Sequence, residues 1–205
     1  MKRVITAIAL GLMGLSFDGC GSFFPKSSPS RLFALSSVAQ AGADTDHFRQ
    51  ISLGIGPVRL PGYLDRQEIV RRAAANRFDL FEHDRWAEPL DENFTRVLTQ
   101  NLSVLLRTDR IVAYPWPLDR RPHYRVEIQV LRFESNSARE AELSARWAVI
   151  DETGKEAPNV KESRLARPAK ENSIDASVAA LSETVADLSR EIAKTVIAVD
   201  RQREP

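Results

Sequence analysis

The residues able to do chemistry are few and scattered. The 205-residue chain holds three histidines, His47, His83 and His123, and one cysteine, Cys20. None stands at the C-x2-C or H-x3-H spacing that brings two metal donors together. Glu82-His83-Asp84 is the densest cluster able to hold a cation or relay a proton. Adjacent residues on an extended strand point to opposite faces, so a solvated polar turn before Trp86 is the expectation. Asp65, Glu88 and Asp91 could serve as a carboxylate group, but helix capping and surface pairing account for them as well. No G-x-S-x-G elbow and no P-loop occur, and Gly54-Ile55-Gly56-Pro57 lacks the third glycine and following helix of a dinucleotide site. We therefore expect no catalytic residue, no metal ligand, no cofactor and no enzymatic activity.

Cys20 stands apart through its position. Lys2 and Arg3 precede an uncharged apolar run, Val4–Phe17. That run is shorter than the roughly 20 residues a membrane-spanning helix needs, and it suits a secretory leader over residues 1–19. Gly19-Cys20-Gly21-Ser22 resembles the lipobox of bacterial lipoproteins. There a peptidase cuts before the cysteine, the thiol takes a diacylglycerol and the new amine a fatty acid such as palmitate. Phe17 stands where Leu is usual and Asp18 where a small residue is usual. The other reading is an ordinary cleaved leader with Cys20 incidental. Each buried CH2 contributes about 0.8 kcal/mol, so several chains anchor firmly where one does not. In enterobacterial lipoproteins an aspartate after the cysteine retains the protein in the inner membrane. Gly21 in that place implies the outer membrane, with the folded part in the periplasm.

The elements that would carry any further site follow from composition and period. Residues 20–30 read as the lipidated cysteine and a Ser/Pro tether that cannot bury a core. A single domain is expected over 31–199, with 200–205 as a disordered polar tail. Lys+Arg is 29 and Asp+Glu 28; removing Lys2, Arg3 and Asp18 leaves 27 of each. That balance gives no support for nucleic acid as a partner. Arg71-Arg72 and Arg120-Arg121 are short basic pairs, by default solvated.

Strands are expected at Arg31–Val38, around Ile51–Ile55, at Gln67–Arg72, Arg77–Glu82 and Ile111–Tyr114, and from Tyr124. Further strands are expected at Leu143–Val149 and Glu156–Arg167. Pro57 and Pro61 suggest an edge or a strand exit. Tyr124, Val126, Ile128 and Val130 share one face, and Leu131 and Phe133 fall on the other, which indicates a β-bulge or burial of both faces. Helical spacing predicts a helix over Pro89–Arg107, with Asp91 and Glu92 in its first turn, and a second over Ile174–Val199 capped by Ser173. The order predicts an α+β fold, a mixed or antiparallel sheet with two main helices packed on one face.

An ordered set of short segments runs through this frame. Gly56-Pro57-Val58-Arg59-Leu60-Pro61 comes first, then Tyr63-Leu64-Asp65-Arg66 and Ile69-Val70-x-Arg72. Arg85-Trp86-Ala87-Glu88-Pro89-Leu90, Asn93-Phe94-x-Arg96-Val97-Leu98 and Asn101-Leu102 follow. Tyr114-Pro115-Trp116, Tyr124-Arg125-Val126 and Leu131-Arg132-Phe133 close the series. Together they resemble the PqiC family of ABC-type transport auxiliary lipoprotein components, over about residues 31–198. The resemblance implies a non-catalytic lipoprotein that docks an MCE-type phospholipid transport assembly at the outer membrane. Its implied partners are an MCE-domain protein, inner-membrane transport components, outer-membrane lipid through the Cys20 acyl chains, and further copies of itself. The Tyr63, Leu64, Asp65, Arg66 loop is expected at the surface as a partner-binding element. The alternative is a periplasmic lipid carrier, with the two apolar helices lining its cavity. A periplasmic hydrolase has no supporting constellation.

Overall fold

The computed structural model describes residues 29–40, 51–116, 121–151, 153–154 and 160–202. The leader, Cys20, most of the tether and Arg120 lie outside the described residues. Eight strands and two helices run in the order β1 (Arg31–Phe33), β2 (Leu53–Arg59), β3 (Glu68–Ala74), β4 (Arg77–Trp86), α1 (Leu90–Leu106), β5 (Ile111–Ala113), β6 (Tyr124–Asn136), β7 (Glu140–Asp151), β8 (Lys161–Pro168) and α2 (Ile174–Arg201). This is the α+β arrangement expected, with a mixed sheet.

β6 is the spine of that sheet. It pairs antiparallel with β7 along nearly its whole length. Its other edge is shared: β2 lies parallel to its first half, and β3 parallel to its end at Ser135 and Asn136. β5 extends the sheet beyond β2, β8 beyond β7, and β4 with β1 beyond β3. The bulge expected in β6 is present, between Val130 and Arg132. It returns Phe133 to the core and leaves Leu131 as the outward residue, so the apolar set keeps one buried face.

β2 departs from expectation. The strand does not end at Pro57 but continues to Arg59. A register shift between Ile55 and Val58 lets the chain pass a residue that cannot donate to the ladder. β1 is shorter than expected. After Phe33 the chain leaves the sheet as a strap across the helices. Leu35 N–H donates to Asn93 Oδ1 at 3.0 Å, Ser36 N–H to Ser182 Oγ at 3.1 Å, and Ser37 Oγ–H to Asn101 Oδ1 at 2.8 Å. Asn93 and Asn101 are buried two turns apart on α1, and Ser182 is buried on α2.

The helices form as their sequences dictate. Pro89 sits just before α1, and Asp91 and Glu92 occupy its first turn. Ser173 caps α2 by accepting from Ala176 N–H at 3.1 Å. α2 runs on to Arg201 because Asp200 accepts the Tyr124 hydroxyl at 3.0 Å, tying the last turn to the sheet. Both helices pack on one face of the sheet and on each other. Phe94 of α1 meets Phe133 of β6 edge to face, with ring centroids 5.3 Å apart, at the centre of a single core.

Candidate partner-binding groove

The loop singled out in the sequence is a 3-10 turn, Gly62–Leu64, between β2 and β3. Its four residues part company. Leu64 is 3% exposed and belongs to the core. Tyr63 is half-buried, stacked on Phe78 with centroids 4.7 Å apart. Its hydroxyl donates to Glu134 Oε2 at 2.6 Å. Burial, then the bond to Glu134, push the phenol above its ordinary range. Asp65 and Arg66 are the exposed members.

Glu134 was not singled out by sequence reasoning, because a charged residue on a β6 face reads as solvated. It is 1% exposed. Besides Tyr63 it accepts from Arg72 Nε at 2.6 Å, Arg132 Nε at 2.9 Å and its neighbour Phe133 N–H at 3.0 Å. A buried carboxylate is tolerable only when satisfied in this way. The cluster fixes the loop and β3 to β6.

The other sequence candidates disperse. Asp84 turns inward to Arg31 at 2.7 Å, while Glu82 and His83 are exposed. Glu88 accepts from Asn93 Nδ2 and from Arg96, each at 2.6 Å. Arg71 pairs with Asp79 of β4 at 2.9 Å and Arg72 with Glu134 of β6, so both members of this basic pair are engaged within the sheet. Among the described residues no three His, Cys, Asp or Glu side chains gather to hold a metal ion.

What the fold does bring together is a groove. β5 pairs with β2 only as far as Ile55, so the rest of β2 has an uncovered edge facing the first half of α1. One depression of about 470 Å³ lies between Gly56–Val58 and the Asp91–Gln100 side of α1, with Tyr114 at its end. A second, of about 420 Å³, continues past Val58 and Leu60 to Leu64, Asp65, Leu90 and Asp91. Gly56 makes the first possible. Its φ of +113° is unsuited to other residues, and an added Cβ would lie 2.9 Å from Tyr114 Cβ. The first depression is lined mainly by apolar surface and the second by polar and apolar surface in similar measure, with Arg59, Asp65, Asp91 and Glu92 among the lining residues. Segments far apart in sequence (within 55–60, 62–65, 90–100 and 113–114) meet here. Each reads alone as a turn, a helix start or a strand end, so periodicity could not assemble the groove.

A family model described as "ABC-type transport auxiliary lipoprotein component" matches residues 33–193. No curated protein matches the chain by sequence. Among solved structures, a Xanthomonas campestris protein superposes with a TM-score of 0.69 at 16% identity, covering 85% of this chain and 100% of that one. An uncharacterized protein superposes with a TM-score of 0.67 at 20% identity, covering 82% of this chain and 99% of that one. At these identities the two structures speak for the fold alone.

Proposed function

Because the chain belongs to the PqiC-like family of ABC-type transport auxiliary lipoprotein components, we propose that it is a non-catalytic docking protein of an MCE-type phospholipid transport system. The observation that carries the reading is the family match over nearly the whole folded part. In this reading Cys20 is acylated, residues 1–19 are removed, and residues 20–30 tether a single domain to the periplasmic face of the outer membrane. The groove beside β2 and the exposed Asp65 and Arg66 supply a surface for an MCE-domain protein or another transport component. The chain acts as a homo-oligomer. Its role is mechanical and positional: it holds one end of the assembly at the membrane and supplies no bond chemistry.

The lipid-carrier alternative draws less support. The apolar faces that would line its cavity are already filled, with Phe94, Val97, Leu98 and Leu102 of α1 fully buried against the sheet and α2. The test is crosslinking in intact cells followed by purification of the full chain. An MCE-domain protein should be recovered. Recovery of no transport component across several crosslinkers would overturn the reading. Native mass spectrometry of the same material should show no phospholipid held inside the fold.

A further inference from the structure

We propose that the groove between β2 and α1 takes an extended, lysine- or arginine-bearing segment of a protein partner, its apolar side chains on the floor and its cations against Asp65, Asp91 and Glu92. This rests on the docking reading above and names the chemistry of the occupant.

Charge complementarity is the ground. The two depressions adjoin at Val58 and Asp91, which line both. Asp65, Asp91 and Glu92 on its rim are exposed and form no ion pair among the described residues. Arg96, which also lines it, is neutralised by Glu88 at 2.6 Å. Among the described lining residues Arg59 is the one cation without an ion pair to set against the three carboxylates. An acidic partner would be repelled here and a purely apolar one would strip water from carboxylates without repaying them. A basic one is attracted and held in register.

Shape sets the rest. The uncovered stretch of β2, Gly56–Arg59, admits about four extended residues at roughly 3.3 Å each. Pro57 removes one donor from that edge, so ladder bonds alone bind weakly and side chains decide what enters.

The test uses the full chain in a non-ionic detergent and two labelled hexapeptides with blocked ends, one alternating Lys and Val, the other Glu and Val. Fluorescence anisotropy should show the Lys peptide binding, more weakly as salt is raised, and the Glu peptide not binding. Combining Asp65→Asn, Asp91→Asn and Glu92→Gln should weaken the Lys peptide roughly tenfold, from three surface charge contacts. Glu171→Gln, an exposed carboxylate before α2, should leave it unchanged. Equal weakening by Glu171→Gln, or no weakening by the triple variant, would overturn the proposal. So would a triple variant that changes oligomeric mass while neither peptide binds, since the groove would then hold a second copy. Asp65→Asn alone, outside any helix, guards against a folding defect in the triple variant. Two further outcomes separate this idea from the docking reading. If crosslinking recovers transport components equally with wild type and triple variant, the groove assignment fails and docking stands. If the Lys peptide binds as described but no transport component is ever recovered, docking fails and the groove stands.

Discussion

Glu134 concentrates the polar cost of this fold in one side chain. Four donors from the loop, β3 and β6 converge on it at 2.6–3.0 Å. Glu134→Ala would leave Arg72 charged without its carboxylate, Arg132 with Glu142 alone, and the Tyr63 hydroxyl without its acceptor. We expect a loss of about 3 kcal/mol, the usual scale for removing one partner of a buried pair, discounted because both arginines keep some contact with water. Urea unfolding of the variant against wild type measures it, and an unchanged midpoint would refute the cluster's structural role. Tyr63 gives a second readout. Its phenol is raised in the folded chain, so the unfolded chain ionises first as pH rises past its ordinary value of 10.0. The stability it contributes is complete below that pH and is lost progressively above it. Tyr63→Phe should flatten the fall in melting temperature on the alkaline side, and an identical alkaline profile would show that the hydroxyl does not report on folding. Neither residue announced itself in the sequence. Tyr63 was legible as part of a loop, but its inward turn depends on Glu134, seventy-one positions later.

At the scale of elements, the two helices were the most legible parts. Their apolar stripes and start signals located α1 and α2 to within a residue or two at every end, the largest difference lying where Asp200 draws α2 on to meet Tyr124. The long hairpin β6–β7 and its bulge were legible for the same reason, a period-two pattern that slips once. Less legible was β2, whose Pro57 argued for an ending. Tertiary pairing with β6 on both sides of the bulge outweighed that local signal. Phe94 is where helix and sheet meet most tightly. Phe94→Ala should cost about 3–5 kcal/mol, the range for a large aromatic cut from a packed core, checked by thermal or urea unfolding. A loss below about 1 kcal/mol would mean the core collapses to fill the space. The strap is held differently, by side-chain oxygens on α1 and α2. Asn101→Ala should raise hydrogen exchange at Ser37–Ala39 while leaving α2 protected. It removes the acceptor for both Ser37 Oγ–H and Ala39 N–H. Unchanged exchange there would show that the strap is seated by Leu35 and Ser36 without Asn101.

For the whole molecule, fold class was legible and the branching of the sheet was not. Runs of strands each followed by one helix gave α+β, but nothing in a local pattern says that β2 and β3 share one edge of β6. The groove exists because of that sharing, since the turn between them carries Asp65 to its rim beside the start of α1. Cys20 remains a proposal of the same scale, because its consequence is where the protein resides. Cys20→Ala should move the protein from the membrane to the soluble fraction on cell fractionation, and continued sedimentation with membranes would refute the acyl anchor. With lipid at Cys20, drag on the domain becomes traction on Arg31. Arg31 is gripped by Asp84, β1 by its parallel pairing with β4, and the strap behind it by Asn93, Ser182 and Asn101. These grips lie in series, so a steady pull would pay out chain from the N-terminal side before either helix is disturbed. Released residue by residue from 31 to 39, that length would add roughly 30 Å of line. If Cys20 carries lipid, the mooring would be a spool as well as a leash, lengthening under load at the expense of β1 while the rest of the sheet and the groove stay whole.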